Sequence, residues 1–490
     1  MKITLPARLR GKGSRFAGDL GFKAVTEICN ALFGLLTFAL LSRLLESKAD
    51  YAVVNQTIAV SSLISPIVLI KMNNAFCVFL AGEQDRVRIK SRFFSVLCTC
   101  LPMCALLGAV MVGWDSALSD LMFGSADYAP LLGLMAAYFV VLSLSTLCQS
   151  LYQATGQQKK SNVFVIVRSA FTAAAFAALS IFPALATLEN VLLLYLGTES
   201  VVLLLSLVCI LWDYRHVPLR LEFSPLKEYY RYAIPLMPSV ILSWINSFIG
   251  RFILNHLENL DAAGTYGFYA SLVSRAFFVN AVLVYTVFPY VAKFWNENNR
   301  TEVANYLRRA FHIGIGFGLP ATAGLVITIP TLTRLMSENT FEYAPTVMLW
   351  LCLAQVFQML YMNYSYLIDL SRRTEVYNVV FFLSSAVNVV FSVWLIPKMG
   401  MEGAAVAMML AYLTQLIVTI WIGTRSAGLR VIPDWKQIVK ALVSTGAMTL
   451  VCHWLYADSI LRFALTVVVG IVVYAGTMAV LSKLTKTSFM

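Results

Sequence analysis

The chain has 490 residues, of which 59% are hydrophobic and 13% are charged. Soluble proteins usually carry about a quarter charged residues, so this composition excludes a soluble multidomain protein. The formal net charge of +12 does not indicate a nucleic-acid partner, because the basic residues must first be placed relative to a membrane. We therefore predict a membrane protein that binds no nucleic acid.

Fourteen segments are long and apolar enough to cross a bilayer, which takes about 20 residues. The first carries Lys23 and Glu27 inside its apolar stretch and lacks a small-residue cleavage site, so we interpret it as a span and not as a signal peptide. The sequence predicts an all-α integral membrane protein. The predicted spans are 17–44, 50–72, 93–113, 130–154, 162–182, 188–211, 232–256, 264–291, 310–332, 344–370, 376–396, 402–424, 439–456 and 459–481.

The basic residues are distributed unevenly between the two sets of connecting segments. When Arg43, Lys440 and Arg462, which lie at span ends, are counted with the adjoining segments, the set that includes both termini holds 27 of the 37 lysines and arginines. The opposite set then holds 5, and the other 5 lie deeper inside spans. Basic residues are retained on the cytoplasmic side of a membrane, so both termini are predicted to be cytoplasmic. A miscounted span would destroy this alternation, and the bias therefore also supports the count.

A weak internal repeat divides the spans into two halves. At an offset near 215, Pro183 after the fifth span matches Pro397 after the eleventh. A shift of six spans preserves orientation, so two pseudo-symmetric six-helix lobes around a central cavity are predicted, with two extra C-terminal helices. The predicted segments are a cytoplasmic segment (1–16), an N-lobe (17–211), a cytoplasmic linker (212–231), a C-lobe (232–424), helices 13 and 14 (425–481) and a cytoplasmic tail (482–490).

Cysteine and glycine patterns give no sign of a metal or cofactor. The nine cysteines lie in or beside apolar segments, where free cysteine behaves as a small hydrophobic residue. The glycine spacing at Gly314, Gly316 and Gly318 resembles a dinucleotide-binding motif. These residues lack the structural context of that motif, because they lie in a span without a preceding strand. Since Pro320 follows them, they predict a weakened, bendable ninth helix. We predict neither a metal site nor a cofactor.

Four segments resemble polysaccharide transporters of the multidrug/oligosaccharidyl-lipid/polysaccharide (MOP) flippase superfamily. Residues 395–405 are similar to the pattern L-I-P-x-x-G-x-x-G-A-A, 232–239 to G-x-P-L-x-P-S, 251–266 to D-R-x-x-L…G-x-Y, and 42–52 to R-x-L-x-x-x-x-Y-G. The likeness extends from about residue 15 to residue 480. The sequence departs from the pattern at Gly250, where the family often has Asp, and at Ala52, where it usually has Gly.

This resemblance implies a fold and a function. The fold is two lobes of six helices plus an extra pair, in a bacterial inner membrane. The function is translocation of an undecaprenyl-diphosphate-linked oligosaccharide repeat for surface polysaccharide such as O-antigen, lipopolysaccharide or capsule, and not an enzymatic reaction. The implied partners are this lipid-linked oligosaccharide and membrane lipids, together with a polysaccharide polymerase and a chain-length regulator.

Ionisable residues inside spans are costly and usually face a bundle interior or an aqueous cavity. Arg275 lies near the middle of the eighth span, too deep for its side chain to reach the headgroups easily. A diphosphate needs cations along its path, and arginine can bind phosphate oxygens bidentately. The predicted substrate-binding cations are Arg275, Lys23, Arg168 and Arg251. Snorkelling of the last two and a structural Lys23–Glu27 pair are the alternatives.

Two carboxylates and one polar helix complete the candidate site. Glu27 and Glu199 lie centrally in their spans, and such carboxylates can titrate near neutral pH. They are candidates for coupling to protons or sodium, with a fixed counter-ion as the alternative. The tenth span is rich in amides and tyrosines, which suit sugar rings, although an interfacial aromatic belt also explains some of its tyrosines. The candidate sugar contacts are Gln355, Gln358 and Tyr364.

Other functions remain as alternatives to this flippase. A cation-coupled small-molecule exporter of the multidrug type and a lipid II flippase share the superfamily. An exporter would favour acidic cavity residues, whereas here the three cations Arg275, Lys23 and Arg168 outnumber the two carboxylates. A membrane polymerase or ligase would need a sizeable periplasmic loop with catalytic groups, and residues 114–129 hold three aspartates but no Lys, Arg or His. The leading prediction is therefore a flippase.

Overall fold

The computed structural model describes residues 13–485, except residues 46, 81, 82, 339, 372 and 374. In this part of the chain the regular secondary structure is helical, which confirms the predicted class. The chain forms two compact units. The first unit comprises residues up to 37, 57–121 and 125–237, and the second comprises 38–56, 122–124 and the chain from 238 onward.

The first unit is built from helices α1 to α9, of which α1 and α2 extend into the second unit. The predicted first six spans correspond to α1, α2, α4, α6, α7 and α8, while α3 and α5 occupy predicted loops. The bounds are Gly13–Leu44, Lys48–Val68, Met72–Phe79, Arg86–Gly113, Asp115–Phe123, Leu132–Ala154, Gln158–Ile181, Leu188–Asp213 and Leu226–Ala233. The connections predicted as loops are therefore partly helical.

The second unit is built mainly from helices α10 to α18. Its longest helix, α13, has 38 residues and extends well beyond the predicted ninth span at its N-terminal end. The bounds are Met237–Leu257, Leu260–Ala276, Val279–Asn296, Arg300–Ser337, Pro345–Leu370, Val376–Met399, Met401–Ala427, Trp435–Leu455 and Ile460–Leu484.

The predicted eighth span is two helices and not one. Among the described residues, 13 helices are long and apolar enough to cross a membrane. The remaining one of the fourteen predicted spans, 264–291, is broken into two helices. Helix α11 ends at Ala276, and α12 begins at Val279 after a turn at Phe277 and Phe278. Broken helices are tolerated at membrane depth only where protein or water covers the free backbone groups. The break follows Arg275 directly, so it lies beside a candidate site residue.

Side-chain caps fix several helix starts. Asp85 accepts a hydrogen bond from the backbone N–H of Val87 at 2.9 Å, at the start of α4. Asn259 accepts one from the backbone N–H of Ala262 at 2.8 Å, at the start of α11. Such caps satisfy backbone donors that have no partner within the helix. The polar residues between the apolar segments thus determine where these helices begin.

The segment 395–405, which carries the most specific sequence motif, is a tight helical hairpin between α15 and α16. Gly400 has φ +57° at the turn, a conformation that favours glycine. A Cβ atom on Gly403 would lie 2.6 Å from the backbone carbon and oxygen of Leu395. The glycines therefore let two helices approach backbone to backbone, and the motif is explained by packing.

The glycines of the ninth span have a packing role as well. Helix α13 continues through Gly314, Gly316 and Gly318. A Cβ on Gly318 would lie 2.7 Å from Val356 Cγ2, and one on Gly314 would lie 3.2 Å from Leu360 Cδ2. Close packing of α13 on α14 thus requires two of these residues. The prediction of a bendable helix missed this explanation, because the sequence does not reveal which helix packs against the glycines.

The outer faces of the helices are apolar. Large side chains on α17 and α18 are strongly exposed, including Leu450, Trp454 and Leu461. Water-soluble proteins rarely expose contiguous apolar patches of this kind. Together with the candidate spans, these faces support a multi-pass membrane protein whose helices contact lipid.

Candidate functional site

A partly polar cavity lies within the first unit. Its volume is about 410 Å³, and most of its lining comes from α2, α6, α7 and α8. Small hydroxyl side chains and two tyrosines surround one cation and one carboxylate, which is unusual in a set of membrane helices. The polar lining residues are Ser61, Ser62, Ser65, Tyr138, Thr146, Arg168, Thr172, Tyr195, Thr198 and Glu199.

Arg168 and Glu199 form an ion pair in this cavity. The guanidinium Nη2 of Arg168, on α7, lies 2.7 Å from Glu199 Oε1, on α8. The same nitrogen donates to Ser145 Oγ at 3.0 Å, and Arg168 Nε is buried without a hydrogen-bond partner. The Glu199 side chain is only 5% exposed, whereas 28% of the Arg168 side chain is exposed. The carboxylate is therefore the desolvated member, and the guanidinium is the member that reaches the cavity.

Lys23 and Glu27 form a second ion pair on α1. Lys23 Nζ lies 2.7 Å from Glu27 Oε1, one helical turn apart, as the spacing predicts. About a fifth of each side chain is exposed. Ser169 donates a hydrogen bond to Asn30, which joins α1 to α7 within the first unit. Lys23 and Glu27 therefore lie on a helix that contacts the helix of Arg168, although neither lines the cavity.

Arg275 lies in the second unit at the end of α11. Its Nη1 donates to the backbone oxygen of Ser271 at 3.1 Å. Its guanidinium lies over the ring of Phe38, 5.0 Å from the centroid. The residue is half-buried, and the helix stops immediately after it. The guanidinium is thus held by a backbone oxygen and an aromatic face and remains partly accessible.

Arg251 is buried inside the second unit. It is 8% exposed, and its Nε has no hydrogen-bond partner. Its guanidinium carbon lies 5.4 Å from the centroid of Phe248 on the same helix. Snorkelling toward headgroups would leave the side chain at the lipid-facing surface, and this is not where Arg251 lies.

The candidate sugar contacts on α14 have different environments. Gln355 is half-buried, and Gln358 Nε2 donates to the hydroxyl of Tyr412 at 3.3 Å. Tyr364 is 1% exposed, and its hydroxyl donates to the backbone oxygen of Val431 at 3.2 Å. Tyr364 therefore holds the segment after α16 in place, while the two glutamines lie in less buried positions.

The second unit also contains a buried polar network that the sequence analysis missed. Asn246 Nδ2 donates to Gln415 Oε1 at 2.7 Å, and Asn388 Nδ2 donates to the backbone oxygen of Asn246 at 2.7 Å. The hydroxyls of Ser247 and Tyr412 lie 3.2 Å apart. Side-chain amides inside apolar segments were the signal that could have revealed this network, since a membrane offers them no other hydrogen-bond partners.

In the first unit, the sequence analysis likewise missed Tyr138 and the serines of α2. Tyr138 and Tyr195 line the cavity with ring centroids 6.1 Å apart. Ser61, Ser62 and Ser65 lie within one or two turns of each other on α2. Their spacing within an otherwise apolar span was the available signal, because polar residues of a span face protein or water.

Comparison with known families identifies the chain. The sequence model of the family described as "Polysaccharide biosynthesis protein" matches residues 19–295, which is more than half of the chain. This chain belongs to the polysaccharide biosynthesis protein family. A second family model, MatE, matches residues 235–394. Both matches place the protein in the MOP flippase superfamily, which confirms the resemblance inferred from the sequence motifs.

Solved structures share the fold of this polysaccharide biosynthesis protein at low sequence identity. "Lipid II flippase MurJ, inward closed conformation" aligns with a TM-score of 0.75 and 13% identity over 94% of this chain and 98% of that chain. An inward-facing multidrug resistance MATE family transporter of the MOP superfamily aligns with a TM-score of 0.67 and 13% identity over 81% and 94%. No curated protein sequence matches the chain.

A third similar structure is a MOP superfamily transporter from Pyrococcus furiosus, described as having a binding pocket of reverse polarity. It aligns with a TM-score of 0.54 and 12% identity over 84% of this chain and 93% of that chain. At these identities the likenesses establish the fold of the polysaccharide biosynthesis protein and not its substrate.

Proposed function

We propose that this protein is a flippase that moves an undecaprenyl-diphosphate-linked oligosaccharide repeat across the bacterial inner membrane. The family match, to a polysaccharide biosynthesis protein, supports the substrate class. Alternating access of two lobes, 17–211 and 232–424, would carry the repeat, with both termini cytoplasmic. The proposed partners are the lipid-linked oligosaccharide and membrane lipids, and a polymerase and a chain-length regulator act on the delivered repeat.

The observation that carries this proposal is the guanidinium of Arg168 at a cavity of about 410 Å³ within membrane helices. An ionised group at this depth is expensive and is retained where it serves a pathway. Because Arg168 is more exposed than its carboxylate partner Glu199, an incoming anion can reach the cation. A diphosphate would compete with Glu199 for it through charge-assisted hydrogen bonds.

Arg275 and Lys23 are proposed as the other diphosphate ligands. Arg275 is partly accessible at a helix break, where free backbone groups already require a polar environment. Lys23 is held by Glu27 and partly exposed. Both cations are therefore held in position and remain partly exposed. Arg251, predicted with them, is buried and is not included among these ligands.

Coupling to a cation gradient is proposed to act through Glu199. Protonation would neutralise the buried carboxylate and free Arg168 for the diphosphate, and deprotonation would restore the ion pair and favour release. Glu27 would act on Lys23 in the same way. Gln355 and Gln358 are proposed sugar contacts, and Tyr364 is proposed to support them by fixing the segment after α16.

Deletion of the gene in its native host tests the proposal. We expect surface polysaccharide to disappear and to return with the wild-type gene. Arg275→Lys should restore part of it and Arg275→Ala about a tenth or less, because only lysine keeps a cation for the diphosphate. Arg425→Ala is the matched control, since Arg425 is exposed and stacks on Trp421. Full complementation by Arg275→Ala would contradict the proposed role of Arg275.

The MatE match over residues 235–394 favours one alternative, a cation-coupled small-molecule exporter. The likeness to a lipid II flippase favours another. In the exporter case the deletion strain would keep its surface polysaccharide and become sensitive to cationic drugs. In the lipid II case it would lose cell-wall integrity and not only surface polysaccharide. Each outcome would replace the proposed substrate.

A further inference from the structure

Arg251 is a buried cation for which the described part of the chain supplies no anion. It lies on α10 and is 8% exposed. None of the described carboxylates lies within 4.0 Å of it, whereas Arg168, Arg334 and Lys23 each have one. A buried lysine or histidine could lose its proton, but a guanidinium stays charged in proteins. The charge must therefore be compensated by something other than a side-chain carboxylate.

The groups around Arg251 do not compensate its positive charge. The ionisable groups that act on it electrostatically are three tyrosines, Tyr51, Tyr266 and Tyr412, and a second cation, Arg275. The tyrosines carry no charge near neutral pH because phenols titrate near pH 10. The interior of the second unit thus concentrates positive charge with neutral hydroxyls beside it.

Position 250 provides space and donors next to this cation. A Cβ atom on Gly250 would lie 3.9 Å from both Ser392 Oγ and Tyr266 Oη and 3.8 Å from Ala404 Cβ, so a small group fits there. The hydroxyl of Tyr266 donates only to Met408 Sδ, at 3.4 Å, and a thioether is a weak acceptor. The Nε of Arg251 has no acceptor in the part of the chain that the structure describes. Among the described residues, the Tyr266 hydroxyl and the Arg251 Nε thus have no strong acceptor, whereas the Ser392 hydroxyl donates to Asn388 Oδ1 at 3.2 Å.

We propose that the second unit binds one small monovalent anion, such as chloride, against Arg251, with a hydroxyl donor from Tyr266. A chloride ion accepts hydrogen bonds only, which matches a guanidinium and a hydroxyl without a carboxylate. The space beside Gly250 is suited to a single ion and not to a diphosphate carrying a lipid. The anion neutralises Arg251 and leaves the substrate diphosphate to Arg168, Arg275 and Lys23. This site goes beyond the proposed transport and does not depend on the identity of the oligosaccharide.

Thermal unfolding of the purified full-length protein tests this site. At constant ionic strength, we expect chloride or bromide to raise Tm by several degrees over gluconate, with saturation at one bound ³⁶Cl⁻ per chain. Arg251→Gln should abolish both the shift and the binding. Arg334→Gln is the matched control, because Arg334 already has Asp458 at 2.9 Å, and it should keep the chloride effect.

A second variant keeps the test decisive if Arg251→Gln folds poorly. Gly250→Asp places a carboxylate beside Arg251 and should remove the chloride dependence. Gly250→Ala fills the proposed ion position with a methyl group and should weaken it, whereas Gly446→Ala, which meets nothing within 4 Å, should keep it. Equal Tm in chloride and gluconate without ³⁶Cl⁻ binding by the wild type would overturn the proposal. Stabilisation by pyrophosphate but not by chloride, lost in Arg251→Gln, would also overturn it and assign Arg251 to the substrate. Either result leaves the flippase proposal to be decided by the surface polysaccharide.

Discussion

Arg168 and Glu199 pair within a membrane helix bundle, where each would be costly alone. The pair joins α7 to α8 at 2.7 Å, and Glu199 is the more deeply buried partner. Removing one member of such a pair leaves an uncompensated charge, whereas replacing both with apolar residues is often tolerated. The difference in stability between variants that lack one charge and a variant that lacks both therefore measures the interaction of the pair.

A double-mutant cycle measures the coupling of this pair. Arg168→Leu should lower the free energy of unfolding by about 3 kcal/mol, because it leaves the Glu199 carboxylate buried and unpaired. The double variant Arg168→Leu/Glu199→Leu should recover most of that loss. Thermal unfolding in detergent at fixed pH provides the comparison. A loss in the double variant equal to the sum of the losses in Arg168→Leu and Glu199→Leu would show that the two charges are not coupled.

Glu199→Gln tests the coupling role of the carboxylate. The amide keeps the shape of the side chain but cannot change its charge, so Arg168 stays permanently available to an anion. We expect transport in this variant to lose its dependence on the cation gradient. The rate of repeat delivery in spheroplasts, with and without an uncoupler, is the measurement. A variant as sensitive to the uncoupler as the wild type would exclude Glu199 from coupling.

The sequence could predict which residues deserved attention at this scale but not their environments. Ionisable groups inside apolar segments can be recognised from the sequence as candidate functional residues, since such groups are rare in membrane spans. The i, i+4 spacing also predicted the Lys23–Glu27 pair, which the structure contains. The Arg168–Glu199 pair joins residues 31 positions apart, and the burial of Arg251 depends on the packing of its own unit. Neither follows from spacing along one helix.

Helix packing explains features that the sequence presented only as motifs. Residues 395–405 form the hairpin of α15 and α16, in which Gly403 lies against the backbone of Leu395. Gly318 similarly meets Val356 across the α13–α14 contact. The existence and approximate bounds of thirteen of the fourteen predicted spans were predictable from apolar length, whereas the short helices between them were not. The break in the predicted eighth span was not, because no proline or glycine lies at Phe277 or Phe278.

Gly403→Ala tests the packing explanation of the hairpin. The new methyl would lie 2.6 Å from the backbone of Leu395, which cannot move as a side-chain tip can. We expect a loss of about 2 kcal/mol or more in stability, in the range of overpacked cores, and a lower yield of folded protein. Gly446→Ala is the matched control, because nothing lies within 4 Å of its Cβ and alanine favours a helix. A Gly403→Ala protein as stable as wild type would contradict this explanation.

The whole molecule combines apolar outer faces with a small set of interior charges. Its helices and its family place it among MOP superfamily proteins. Its predicted orientation, with both termini cytoplasmic, still depends on the 27-to-5 distribution of basic residues. The lobes at 17–211 and 232–424 also remain a prediction, because the compact units divide within α1 and α2. The cargo cannot be read from the helices, since related folds serve different substrates.

The leaflet occupied by the lipid-linked repeat tests the central claim most directly. In spheroplasts of the deletion strain, an externally added lectin or glycosidase reports only repeats that have reached the periplasmic leaflet. We predict that the repeat accumulates but stays inaccessible until the membrane is permeabilised, and that the wild-type gene restores access. Repeats that are equally accessible in deletion and wild-type spheroplasts would contradict the flippase assignment.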